Sequence, residues 1–138
     1  SAARGLSGEP IQIAVHPTQG NVVAVASEGG IFLSSDYGNS FSRIGSVAPV
    51  SAVTFTPTGE RLLFGLQRLY DYELTTKQVR ELQTPAVGEK DAIGYVAVNP
   101  AQGSTIALAT FGKEIHLSTN GGETWKQIAK QGQGVQDK

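Results

Sequence analysis

Cysteine and methionine are both missing from this 138-residue chain, tryptophan occurs once, and charged residues make up only 17% of it. Without cysteine there is no disulfide framework and no thiolate metal centre, and since a secreted fold need not use disulfides, the compartment stays open. Without methionine the natural initiator is absent, so a processed chain or a piece of a longer one is expected. No apolar run reaches the ~18 residues of a membrane-spanning helix, and Ser1-Ala2-Ala3-Arg4-Gly5 lacks a signal peptide's apolar core, so no membrane span is expected. Eleven basic and twelve acidic residues, interspersed to a net charge of −1, supply no field for nucleic acid or an anionic membrane. Two histidines, His16 and His116, are poor material for a zinc site or a nucleophilic triad, and both read as packing or surface residues.

What is plentiful is glycine, 17 residues spread along a chain that is 39% hydrophobic, which fits an all-β protein with many tight turns. Two stretches share one pattern, Ser-x-(Asp/Asn)-x-Gly-x-(Ser/Thr)-aromatic. They are Ser34-Ser35-Asp36-Tyr37-Gly38-Asn39-Ser40-Phe41 and Ser118-Thr119-Asn120-Gly121-Gly122-Glu123-Thr124-Trp125. Asp36 and Asn120 lie 84 residues apart, too far for one supersecondary unit and right for two units of about 42 residues.

Aligning the stretches brings their upstream neighbours into register and exposes a third copy. Ile11 to Pro17 matches Ile93 to Pro100, and Val50 to Pro57 carries the same extended run closed by proline. Pro17, Pro57 and Pro100 are spaced 40 and 43 residues apart, and Gly20, Gly59 and Gly103 follow them. Proline fixes φ and glycine permits positive φ, so each pair marks a reversal between strands. Every unit holds four short extended segments, here A to D. The B segments, Val22 to Ala26 and Thr105 to Ala109, are nearly continuous apolar runs, as expected for strands covered on both faces. A sandwich or barrel would also use short strands at this spacing, but the internal repeat favours a partial β-propeller of three four-stranded antiparallel blades. The expected boundaries are 9–47, 48–84 and 85–130, with a polar tail over 131–138.

The two boxes resemble the Asp-box, or BNR, repeats of sialidase-like glycosyl hydrolases, sortilin-type receptors and a photosystem assembly factor. In particular, Gly88-Glu89-Lys90-Asp91-Ala92 and Ala109-Thr110-Phe111-Gly112-Lys113 resemble bacterial BNR-repeat proteins classed as glycosylhydrolase-like. The resemblance implies that each box is the C-to-D hairpin of a blade, its Ser and Asp binding turn backbone, its Gly in a strained conformation and its aromatic packed into the blade. Those roles would fall to Ser34, Asp36, Gly38, Ser40 and Phe41, and to Ser118, Asn120, Gly122, Thr124 and Trp125. The middle unit departs from the pattern, since Asp71 to Gln78 offers an ordinary polar hairpin turn. Asn120 stands where aspartate is usual, which backbone capping tolerates because an amide oxygen still accepts hydrogen bonds. The resemblance also favours an extracytoplasmic or secreted bacterial protein.

As a calcium loop, Asp36 to Asn39 has too few acidic ligands at alternate positions and no terminal bidentate glutamate, so no metal and no cofactor is expected. Sialidase-type catalysis uses an arginine cluster, a tyrosine and a glutamate. Here Asp71 and Glu73 share one face of a C strand and Tyr70 and Tyr72 the other, and we read the carboxylates as a solvated pair. Arg4, Arg43, Arg61, Arg68 and Arg80 show no spacing that gathers three in one pocket. If the boxes are C-to-D turns they share a rim with the A-to-B turns, and the opposite rim, where propeller ligands generally enter, carries the candidate binding residues Arg68, Glu89, Lys90, Asp91, Phe111 and Lys113. Solvated loops are the plain alternative for all six.

Three blades leave two apolar faces bare, whereas closed propellers use four to eight. The expectation is therefore a half-ring completed by a second copy as a homodimer, or a part of a longer propeller. Two functional classes follow: a non-catalytic scaffold or binding module with a protein or carbohydrate ligand, or part of a glycosyl-hydrolase-like enzyme whose catalytic residues lie outside this chain or form across a dimer.

Overall fold

A computed structural model describes Gly5, residues 8–83, Val87, residues 90–130 and residues 133–134. No described residue is helical, and no helix is long and apolar enough to cross a membrane, which says nothing about a β-barrel. The described chain forms thirteen strands in three antiparallel sheets. The first sheet holds β1 (Pro10–Val15), β2 (Val23–Ser27), β3 (Gly30–Ser34) and β4 (Ser42–Ile44) in sequence order. The second holds β5 (Ala52–Phe55), β6 (Arg61–Gly65), β7 (Leu69–Glu73) and β8 (Gln78–Glu81). The third holds β9 (Ile93–Val98), β10 (Ile106–Thr110), β11 (Ile115–Ser118), β12 (Lys126–Lys130) and the short β13 (Gln133–Gly134). This last strand, within the stretch expected to be a tail, pairs with the outer edge of β12 and so occupies hydrogen-bonding groups an edge strand would leave open.

Each sheet is a meander whose first strand lies innermost, and β5 sits between β1 and β9. The sheets are thus three successive blades stacked face to face around one axis. The residue before each turn proline helps explain why the chain reverses there. His16 Nδ1 accepts the N–H groups of Thr18 and Gln19 at 3.1 and 3.0 Å, Thr56 Oγ1 accepts that of Arg61 at 3.1 Å, and Asn99 Oδ1 accepts that of Ala101 at 2.8 Å. Each side chain satisfies turn donors that no strand partner reaches.

Two cores lie between the blades. Ala24, Ala26 and Ile31 of the first blade meet Val53, Phe55, Leu62, Phe64 and Tyr72 of the second. Large aromatic side chains there fill the space left by alanines, the interdigitation that close packing requires. Ala52, Leu63, Leu69 and Leu82 of the second blade meet Ile93, Val96, Ile106 and Leu108 of the third. Period-two alternation places the two sets on opposite faces of the second sheet, so that blade is covered on both sides. The expectation that B segments are covered on both faces therefore needs correction for the third blade: Ala107 and Ala109 of β10 are only half-buried, because among the described residues no sheet lies beyond them.

Polar bonds cross between blades at the axis. The Gln12 amide accepts the Val53 N–H at 2.8 Å and donates to the Gly94 carbonyl at 3.1 Å, tying β1 to both β5 and β9. Ser51 Oγ donates to the carbonyl oxygen of Ile93 at 2.6 Å. The His16 ring, whose Nδ1 already accepts two N–H groups, carries its proton on Nε2 and donates to Gly59 O at 3.0 Å in the next blade.

Candidate functional site

The two rims of this array differ in chemistry. On one, the boxes stand beside the A-to-B turns: the Asn21 amide donates to Ser35 O at 2.9 Å, and Gly121 N donates to Ser104 O at 2.8 Å. Ser34 Oγ donates to Asp36 Oδ1 at 2.7 Å and accepts the Gly38 N–H at 2.9 Å, while Asp36 Oδ1 also accepts the Ser40 N–H at 2.9 Å. Tyr37 and Gly38 both take positive φ, 63° and 87°, as do Gly121 and Gly122 at 73° and 93°. The third blade repeats the pattern with Ser118, Asn120, Gly122 and Thr124, and only one bond is reversed. Ser40 donates to the Asp36 carboxylate, whereas the Asn120 amide donates to Thr124 Oγ1 at 2.7 Å. Hydrogen bonds from Ser40 and Ser34 lower the Asp36 pKa to about 2. Phe41 and Trp125 are half-buried; the Trp125 indole packs on the core below and donates to Gln83 O in the preceding blade.

The opposite rim gathers three segments. Gln67 of the second blade donates to Asp91 O at 3.2 Å, and Asp91 Oδ1 accepts the N–H groups of Ala92 and Gly112, each at 2.8 Å. The turn carrying Arg68, the segment Lys90 to Ala92 and the turn from Thr110 to Lys113 therefore lie together. Burial alone would raise the Asp91 pKa, but the Thr110 hydroxyl and the N–H groups of Ala92, Gly112 and Phe111 outweigh it and hold it below the usual carboxylate range. Arg68 pairs with Glu81 at 3.2 Å, both of them exposed. Phe111 is 63% exposed and lies over Gly94, where an added Cβ would stand 3.2 Å from its ring. Lys90 and Lys113 are exposed, Lys113 with a φ of 71°. Glu89 lies outside the described residues.

The chain also builds a polar cluster that sequence spacing did not show. Asp71 is only 5% exposed, so it is not the solvated carboxylate expected; Arg61 reaches it at 2.7 Å, Arg80 at 3.4 Å, and Arg61 also binds Glu73 at 3.2 Å. The hydrogen bond to Asp71, together with that carboxylate's charge, raises the Arg61 pKa above its ordinary value. The hairpin register that pairs Arg61 with Glu73 and Leu63 with Asp71 is the signal that could have found it. A cavity of about 200 Å³ beside this cluster is closed on its far side by Gly103, Ile106 and Gly121 of the third blade. A larger cleft of about 560 Å³ between the first two blades has Arg43 and Lys77 at its mouth and Ile44 and Tyr72 at its base. Both histidines are buried and act in packing, His116 beside Glu114 at 3.3 Å. Among the described residues no group of three His, Cys, Asp or Glu side chains could hold a metal ion.

Three solved structures share this architecture. An ancestral GH74 enzyme superimposes over 87% of the chain with a TM-score of 0.73 at 17% identity, using 18% of its own length. The GH74 xyloglucanase of Xanthomonas campestris gives 0.60 at 21% identity over 85% of the chain and 21% of its own. The Cps50 (Swd1) β-propeller domain of Myceliophteria thermophila gives 0.67 at 14% identity over 90% and 40%. This chain is a partial β-propeller. No protein-family model and no curated protein matches it in sequence, and at these identities the structural likeness establishes the propeller fold alone. The propeller spans between about a fifth and two fifths of the length of these neighbours.

Proposed function

We propose that this partial propeller is a non-catalytic scaffold or binding module of the Asp-box type, completed by a second copy or by further chain. One observation carries the reading: the carboxylates best placed for chemistry are already committed. Asp36 closes its own turn, Asp71 is neutralised by Arg61 and Arg80, and Asp91 holds the 110–113 turn. These bonds hold each carboxylate in a structural role, and the hydrogen bonds that keep Asp36 and Asp91 below the usual carboxylate range work against the protonated form a general acid needs. The rim that joins Lys90, Phe111 and Lys113 is the binding surface in this reading. An exposed aromatic flanked by two lysines suits a carbohydrate face or an extended protein segment, in keeping with an extracytoplasmic setting.

The second reading, part of a glycosyl-hydrolase-like enzyme, draws on the GH74 enzymes, onto parts of which this chain superimposes. A panel of aryl glycosides together with xyloglucan separates the two. No turnover, with oligosaccharide binding that Phe111→Ala weakens, is the expected outcome. Turnover abolished by Glu89→Ala or Asp91→Ala would establish the enzyme reading instead.

A further inference from the structure

The outward face of the third blade repeats, residue for residue, a face that this chain buries. In the first blade Ala14, Ala24 and Leu33 stand opposite one another across β1, β2 and β3, with Ala26 opposite Ile31 beside them. In the third blade Ala97, Ala107 and Leu117 stand opposite one another across β9, β10 and β11, with Ala109 opposite Ile115. The five residue types are identical and the pairings are the same. Their surroundings differ at three positions: Ala24, Ala26 and Ile31 are 0% exposed beneath the second blade, whereas their counterparts Ala107, Ala109 and Ile115 are only half-buried; Ala14 and Leu33, like Ala97 and Leu117, are half-buried. Beside them Tyr95, at the position of the bridging Gln12, is 61% exposed.

What covers such a face is visible inside the chain. The second blade presents Val53, Phe55, Leu62 and Phe64 to the first, and the third presents Val96, Val98, Ile106 and Leu108 to the second. The first blade carries the corresponding set, Ile13, Val15, Val23 and Val25, on the face turned away from the second blade. Ile13 and Val15 there are 63% and 59% exposed, while Val25 and Phe32, farther from the axis, are buried. One end therefore bears the small-residue half of an inter-blade interface and the other end the large-residue half. Because the two ends match each other and neither matches itself, the fitting contact is head-to-tail.

We infer that a second copy of this chain is the occupant. The third blade of each copy packs on the inner part of the first blade of the other, and the two identical contacts close a six-bladed ring. This continues the inter-blade packing already present twice within the chain, and it rests on reading the chain as an incomplete propeller. Two-fold closure satisfies both ends at once, where an unclosed head-to-tail contact would extend into a filament.

Sedimentation equilibrium of the full chain tests this, with a species of twice 14.5 kDa expected at micromolar concentration. Ile13→Lys and Ala107→Glu each place an unpaired charge in both contacts of the ring and should weaken association about a hundredfold. Ile13 is 63% exposed and Ala107 is half-buried on the outward face of its sheet, so circular dichroism should be unchanged. Combining the two substitutions in one chain places Lys against Glu at each contact and should recover about tenfold of the loss. A monomer at hundreds of micromolar would overturn the inference in favour of a further blade from a longer chain. A dimer indifferent to both substitutions, or an open series of oligomers, would overturn it as well. Glycoside turnover bears on the scaffold reading alone and leaves this contact untouched.

Discussion

His16 and Gly59 form a contact whose energetic value can be worked out before it is measured. The imidazole is buried, donates to the Gly59 carbonyl at 3.0 Å, accepts two N–H groups of its own turn and leans on Phe55 with ring centroids 5.1 Å apart. His16→Ala removes the inter-blade bond, worth about 1 kcal/mol net, and the ring packing, worth about 1–2 kcal/mol more. It also leaves the Thr18 and Gln19 N–H groups to water, so a loss of about 3 kcal/mol is expected, or roughly 10 °C in Tm for a domain of this size. Gly59 has a φ of 78°, and a Cβ added there would overlap the imidazole. Gly59→Ala therefore carries a left-handed penalty of about 1 kcal/mol together with a clash that depends on the ring. In the double variant the clash is gone, so the two losses should fall short of additivity by about 1–2 kcal/mol. Urea denaturation of the four proteins measures that coupling. Additivity to within about 0.5 kcal/mol would refute the placement of the ring against the glycine.

Three further outcomes are expected. The folded-state pKa of Asp36 is about 2, below its ordinary value of 3.8, so its stabilising effect is present above about pH 4 and is lost as the pH falls through 2. Asp36→Asn, which can copy the bonds of Asn120, should flatten the fall in Tm between pH 4 and pH 2, and an unchanged profile would contradict the box geometry. Gln12→Leu should cost about 2 kcal/mol in urea denaturation by leaving the Val53 N–H and the Gly94 carbonyl without their partner. Arg61→Ala should cost about 2 kcal/mol, since it leaves buried Asp71 with only the longer Arg80 contact, whereas Arg80→Ala should cost well under 1 kcal/mol; equal losses would rule out Arg61 as the principal partner.

Most of the fold was legible because its turns are chemically marked. Pro17, Pro57 and Pro100 each follow a residue able to cap the turn, and the two boxes carry their hydrogen bonds within eight consecutive residues. Local chemistry of this kind is visible in a one-dimensional string. The Arg61, Asp71 and Arg80 cluster was not, because it depends on the register of two hairpins and on the third blade closing over Asp71. Gln12 was missed for a similar reason, since its partners are 41 and 82 positions away and have no side-chain signature. On the candidate rim, sequence position grouped Arg68, Asp91, Phe111 and Lys113 on one side of the blades. It gave no sign that Arg68 pairs with Glu81 or that Asp91 is spent on backbone amides.

The bridge made by Gln12 also bears on the order in which this molecule assembles. Each blade is a meander of neighbouring hairpins and can begin from contacts close in sequence, but the amide near the start of the first blade reaches its final partner only when β9 is in place. Closing so long a stretch of chain costs entropy before any bond repays it, so this clasp belongs to the last steps of folding. The innermost strand of the first blade thus precedes both of its partners in the chain and is among the latest elements to be locked.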